Sequence, residues 1–334
     1  MSVARRLGGA KLSRMLSAMV AVSAMTMSAA GTAAEFPSKP ITMIVAFPAG
    51  GGSDIIARLL SEPLSRALGQ PIIVENVSGG TGAIGAAKLA RQAPDGYTVM
   101  LGSVNENVLS PLVNPDVAKQ YSSEDFDPIA KVGSSAFVIT GRKDFPAVTI
   151  DEVVQAARER PGELSFGTTG VGSYQQIVMN RLQQLTDTSL LHVPYRGGAP
   201  MMTDLIGGQI DFAVGMPNMM LPQIERGALK AFAVTGLKRD PTLPNVPSVV
   251  ESKEVSKIDY VFWFGLFAPK GVPADRLEKL KQAATTTFAD PEVIKRLEGV
   301  GIVVPSADEQ AEFSQFVRSE RDKLQSAVAT MKLN

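Results

Sequence analysis

The chain contains no cysteine, which removes disulfides, thiolate metal centres and cysteine nucleophiles at once. His192 is its only histidine, so paired-histidine metal spacing is impossible, and neither a GxSxG elbow nor an HExxH helix occurs. His192 sits inside an apolar, strand-like run, where a hydrogen-bonded structural role is favoured over general-base work. An excess of charge of one sign is also missing: 33 basic side chains face 33 acidic ones, which excludes a basic nucleic-acid surface and a disordered polyelectrolyte. Carboxylates are scattered over presumed helix faces, and no glycosidase-type pair stands out. Beyond the first thirty residues no apolar run reaches the roughly 20 residues of a spanning helix. The sequence therefore predicts no catalytic residue, no metal and no cofactor.

What is present begins with an asymmetry. The first 34 residues carry Arg5, Arg6, Lys11 and Arg14 and no acid, leaving 29 basic against 33 acidic groups in the remainder. Basic residues, the apolar stretch 15–30 and the small-residue run AAGTAAEF follow the order of a secretory leader, with cleavage expected after Ala34. Arg5 and Arg6 lack a surrounding twin-arginine motif. The 334 residues are enough for two domains, and with no disulfide the exported product must rely on its core.

Short β-prone runs alternate with helical ones, the pattern of an α/β fold with crossover helices. Strands are expected at 41–47, 72–77, 98–102, 164–167, 190–194, 210–215, 229–235 and 260–268, and helices at 53–68, 83–93, 150–160, 173–186 and 199–207. Pro241, Pro244 and Pro247 mark an irregular connection. Extended segments near 130–140 and 245–265 join the two rounds of strand and helix. This predicts two α/β lobes with a central ligand cleft and two interlobe crossovers: 35–137 with 248–334 as one lobe, 138–247 as the other. Ligands in such folds sit beyond the carboxyl ends of strands, at helix starts.

Three glycine-rich loops lead from strand to helix. The first runs from Phe47 through Pro48, Ala49, Gly50, Gly51 and Gly52 to Ser53 and Asp54. Glycine lets backbone approach a ligand, and free N–H groups at a helix start attract an anion. The lysine of a Walker A loop is missing. The second, 80–85, spells GxGxxG, but it follows the second strand and lacks the acidic partner of a dinucleotide fingerprint. The third spans Gly167, Thr168, Thr169, Gly170, Val171, Gly172, Ser173 and Tyr174, where hydroxyls and amides form a neutral, anion-accepting surface. A fourth segment, 195–200, places Arg196 at a helix start, either to pair with a ligand carboxylate or to satisfy a neighbouring loop. Trp263, between Phe262 and Phe264, lines the cleft or fills the core.

The strings FPSKPITMIVAFPAGGGSD, LGQPIIVENVSGGTGAIGA, APDGYTVMLGS, GTTGVGSYQQ, VPYRGGAPMMTDLIGGQID and FAPKGVPADRLEKL together resemble the Bug proteins, also called TctC-type proteins. These are extracytoplasmic solute receptors of tripartite tricarboxylate transport systems. The resemblance implies a periplasmic binding protein of type II that closes on a small organic carboxylate, a di- or tricarboxylate or an aromatic one. It implies a monomer working with membrane permease subunits, with no nucleic acid. Carried over to this chain, it points to Phe47, Ala49, Gly50, Gly51, Ser53 and Asp54 on one lobe and to Thr168, Thr169, Gly172, Ser173, Tyr195, Gly198 and Ala199 on the other. After IDFAV many relatives carry an acid able to face a ligand ammonium; Gly215, Met216, Pro217 and Asn218 stand here, favouring a plain or aromatic carboxylate. Two rivals remain at this stage: a sensory receptor signalling to a membrane kinase, and an exported enzyme on the same scaffold.

Overall fold

The computed structural model describes residues 35–258 and 260–328, so the leader expected at 1–34 lies outside the described residues. Two compact units are distinguished, Met1–Ser38 and Lys39–Asn334. The described part of the first, 35–38, has no helix or strand.

The second unit holds two five-stranded sheets. In the first, β1 (Ile41–Val45) lies between β2 (Ile72–Asn76) and β3 (Thr98–Ser103), all parallel. The edge is completed by β10 (Val261–Pro269), antiparallel to β3, and then β4 (Phe126–Ala136). β1 buries Ile41, Met43, Ile44 and Val45 completely, as a parallel strand covered on both faces must; each such side chain contributes about 1.5–3 kcal/mol. The second sheet repeats the plan. β6 (Ser165–Thr168) lies between β7 (Leu191–Pro194) and β8 (Phe212–Gly215), and β5 (Val138–Arg142) and β9 (Leu229–Val234) complete it.

Helices fill the crossovers. α1 (Gly52–Leu68) follows β1 and ends at Gly69, whose φ of 69° only glycine adopts without strain. α2 (Ala83–Ala90), α3 (Ile150–Glu159), α4 (Tyr174–Thr186) and α5 (Gly198–Ile206) stand where the 3.6-residue periodicity places them. α6 (Pro217–Glu225) has no counterpart in the sequence reading. Its Pro217 stands in the first turn, where a missing N–H has no acceptor to serve, while Pro222 lies inside the helix. Between β3 and β4 the chain makes a π-helical turn, Asn105–Leu109, and two short helices, again absent from the sequence reading. Helices also follow β10, including Phe313–Val328.

Between β4 and β5 the chain passes from one sheet to the other across a single residue, Phe137; it returns between β9 and β10. The two passages are tied together. The Phe137 amide donates to Thr235 Oγ1 at 3.0 Å, the Thr235 amide donates to the Phe137 carbonyl at 2.9 Å, and Thr235 Oγ1 donates to the Tyr260 carbonyl at 2.8 Å. Aromatic rings pack around this tie: Phe137 against Phe262 at 5.1 Å, and Tyr174 against Tyr260 at 5.5 Å between centroids. Among the described residues no helix is long and apolar enough to cross a membrane.

Candidate functional site

Helix starts leave backbone N–H groups without intrahelical acceptors, and the structure settles which of them are already used. α1 begins at Gly51 with no side-chain cap, and α5 begins at Gly197 with none either. α4 differs: Ser173 Oγ accepts from Gln176 N, Gln176 Oε1 accepts from Gly172 N at 2.7 Å, and Asn105 Oδ1 accepts from Tyr174 N at 2.8 Å. Gly170 N is likewise taken by Thr168 Oγ1. At the third glycine-rich loop these amides are therefore taken, by Thr168, Ser173 and Gln176 from its own side and by Asn105 from the other, whereas the starts of α1 and α5 carry no side-chain cap.

Both uncapped starts reach one narrow cavity of about 20 Å³. Phe47, Gly51, Gly52 and Ser53 line it from the first-sheet side, and Thr169, Gln175 and Gly198 from the second. Asn105, from the unforeseen π-helical turn, and Phe262 add to the first side, and Met201, Gly215, Met216 and Met219 to the second. None of the thirteen lining residues is charged. The polar atoms belong to Ser53, Asn105, Thr169 and Gln175; Thr169 Oγ1 donates to Gln175 Oε1 at 3.1 Å, which fixes both side chains.

Two methionines from α6 and the residue before it lie against these helix starts. A Cβ on Gly52 would stand 2.1 Å from Met216 Cε and 3.0 Å from Asn218 Oδ1; one on Gly198 would stand 2.6 Å from Met219 Cε and Sδ. With glycine at both places the thioether ends close directly over the helix starts, and a Cβ at either would force them to move. Asn218 Nδ2 donates to the Gly52 carbonyl at 2.9 Å, and Thr81 Oγ1 donates to the Val171 carbonyl at 2.9 Å. With the Asn105–Tyr174 bond, these are three hydrogen bonds between elements of the two sheets.

Of the thirteen residues expected from the resemblance, Phe47, Gly51, Ser53, Thr169 and Gly198 line the cavity. Ala49 and Gly50 form an exposed loop tip, and the Asp54 carboxylate turns away to accept from Gly50 N at 2.9 Å, Arg58 Nε at 2.9 Å and Asn76 Nδ2 at 3.0 Å. Burial opposes its charge, but these bonds and the Arg58 guanidinium hold its pKa below the usual carboxylate range. Thr168 is fully buried, bonded to Gly170 and lying 2.6 Å from His192 Nε2. Gly172 packs its Cα against Val113, with no room for a Cβ, and Ser173 caps α4. Tyr195 donates its hydroxyl to Asp204 Oδ2 at 2.7 Å; burial and that carboxylate push its pKa up to about 12. Ala199 lies in the first turn of α5, its carbonyl accepting from Thr203 Oγ1.

The open alternatives resolve by position. Alternation along β10 turns Phe262 to the cavity and Trp263 to the opposite face, against Phe313 and Phe316, with its Nε1 donating to Glu320 Oε2 at 3.3 Å. His192 stacks on Phe166 at 5.0 Å, and burial lowers its pKa, leaving it a neutral structural ring. Arg196 is exposed and lines a different hollow, beside Thr81, Asn114 and Tyr195.

The model of the tripartite tricarboxylate transporter family receptor, TctC, matches residues 56–333. The chain belongs to that family. Its members are solute-binding receptors of the periplasm that bind carboxylates, and not enzymes. Protein BugT of Bordetella pertussis is 32% identical over 262 residues, covering 76% of this chain and 79% of BugT. MatC of Rhodopseudomonas palustris, solved with bound malate, superposes with a TM-score of 0.82 at 29% identity, covering 88% of this receptor and all of MatC. A second R. palustris protein, solved with adipate, gives a TM-score of 0.84 at 26% identity over 89% of this receptor and 98% of that chain. The paired mixed sheets of the receptor are those of the periplasmic binding protein fold.

Proposed function

We propose that this receptor, exported by the leader 1–34, captures a small organic carboxylate in the periplasm and delivers it to the membrane permease subunits of a tripartite tricarboxylate transporter. The lobes 35–137 with 248–334, and 138–247, supply one wall each. The observation that carries this reading is the convergence of two uncapped helix starts, α1 and α5, from different sheets on one cavity. Each start offers unpaired N–H donors and the positive end of a helix dipole, worth about 0.3–1 kcal/mol per charge when exposed and up to about 2 when partly buried. A carboxylate placed between them is held from both sides only when the lobes meet, so binding shifts the population toward the closed form. Phe47, Gly51, Ser53, Thr169 and Gly198 make the contacts. Asp54, Thr168, Gly172, Ser173, Tyr195 and Ala199 hold the loops that present them, and Ala49 and Gly50 complete the first loop.

The test is calorimetric titration of the mature chain, residues 35–334, with malate, adipate, hexanoate and benzoate, alongside small-angle scattering. At least one acid should bind and reduce the radius of gyration, and the corresponding amides should not bind. Absence of binding by every acid refutes the proposal.

A further inference from the structure

The cavity's lining combines four polar side chains, Ser53, Asn105, Thr169 and Gln175, with the hydrocarbon and thioether surface of Phe47, Phe262, Met201, Met216 and Met219, and Met216 and Met219 lie over the helix starts of α1 and α5. No lysine, arginine or histidine lines the cavity to balance a second carboxylate, and no aspartate or glutamate lines it to balance an ammonium. Burying an unpaired charge costs several kcal/mol. Arg196, the cation nearest in sequence to Gly198, lines another hollow. The volume, about 20 Å³, is that of little more than one water, so an organic acid must displace part of the wall. The thioethers are the parts free to yield. Met216 Cε fills the space over Gly52, and Met219 fills that over Gly198, each through an unbranched side chain with three rotatable bonds.

The geometry points to a ligand with a single carboxylate and an apolar body, the carboxylate at the α1 and α5 starts and the body against Met201, Met216 and Met219, with Met216 and Met219 setting the size accepted. This inference rests on the receptor reading above and narrows its ligand class. Met216 is supplied by the segment joining β8 to α6 and Met219 by α6 itself, so two elements outside the glycine-rich loops determine specificity.

The experiment is titration of the mature chain with matched pairs sharing one carboxylate end: hexanoate against adipate, and benzoate against terephthalate. The monocarboxylate of each pair should bind at least tenfold more tightly. Met216→Ala and Met219→Ala enlarge the site and should shift the benzoate-to-hexanoate affinity ratio at least fivefold toward benzoate. The volume-conserving M216L and M219L, whose branched side chains are stiffer, should melt within a few degrees of the wild type and shift that ratio toward hexanoate. Equal or tighter binding of the dicarboxylates overturns the inference while leaving the receptor reading intact. A ratio unchanged within twofold in all four variants removes the size-setting role of the methionines. Failure of all four acids to bind overturns both the inference and the receptor reading.

Discussion

Replacing Gly52 by alanine separates folding from ligand capture. Gly52 occupies the first turn of α1, where an added methyl group clashes with nothing in its own lobe and favours the helix by up to about 1 kcal/mol. The collision comes from α6 and its leading residue, with the new Cβ 2.1 Å from Met216 Cε and 3.0 Å from Asn218 Oδ1. Met216 can swing aside for about 0.5–1.5 kcal/mol. Asn218 has less freedom, because its Nδ2 is buried against the Gly52 carbonyl, and losing that bond costs about 1–3 kcal/mol. Both costs arise only when the lobes meet, so together they weaken binding by about 1.5–4.5 kcal/mol, a factor of more than ten in Kd. Calorimetry with the best-binding acid measures Kd, and a thermal melt without ligand checks the fold, which should melt at the wild-type temperature or slightly above. The double variant G52A/N218A should lose less than the sum of the single losses, because one contact is counted in both. A Kd within twofold of the wild type for G52A, with the melting temperature unchanged, refutes this account of closure.

Further predictions concern other parts of the chain. Thr81→Ala deletes the hydroxyl that donates to the Val171 carbonyl and should raise Kd by roughly 2- to 12-fold, corresponding to about 0.5–1.5 kcal/mol; T81S keeps the donor and should restore binding. Glu106 is fully buried, and burial, partly offset by hydrogen bonds from Ser103 N and Oγ, pushes its pKa up to about 7. The folded state thus holds a proton that the unfolded chain releases near pH 4.5, so this group's contribution to stability falls as pH rises through about 4.5–7 and is level above. Glu106→Gln should abolish that slope in denaturant titrations; an unchanged slope would assign the pH dependence to another group. Trp263→Ala, cutting into the cluster with Phe313 and Phe316, should cost about 3–5 kcal/mol of stability without altering the order of ligand affinities, since Trp263 faces away from the cavity.

The alternation of strand and helix was readable because β1 and its neighbours are short apolar runs and α1 to α5 carry the 3.6-residue period. The first glycine-rich loop was readable for the same local reason. What sequence could not supply was the bookkeeping of amides: whether Gly172 and Tyr174 offer free donors depends on Gln176 folding back one turn and on Asn105, far along the chain. α6, with Pro222 in its interior, has no counterpart among the expected helices, and Met219 went with it, whereas Met201 lies on the expected α5. Met216 itself was singled out, though as a departure from relatives and not as part of a wall. Alternation made Phe262 and Trp263 face opposite ways, but only the pairing of β10 between β3 and β4 decides which face lines the cavity.

The tie between Phe137, Thr235 and Tyr260 has a mechanical consequence. Two connecting passages bonded side by side should behave as a door hung on adjacent pins, permitting rotation about one line and resisting sliding or twisting. Whatever acid is captured, the outer rims of the two halves should therefore travel along the same arc, presenting one repeatable shape to whichever membrane protein must tell a loaded receptor from an empty one.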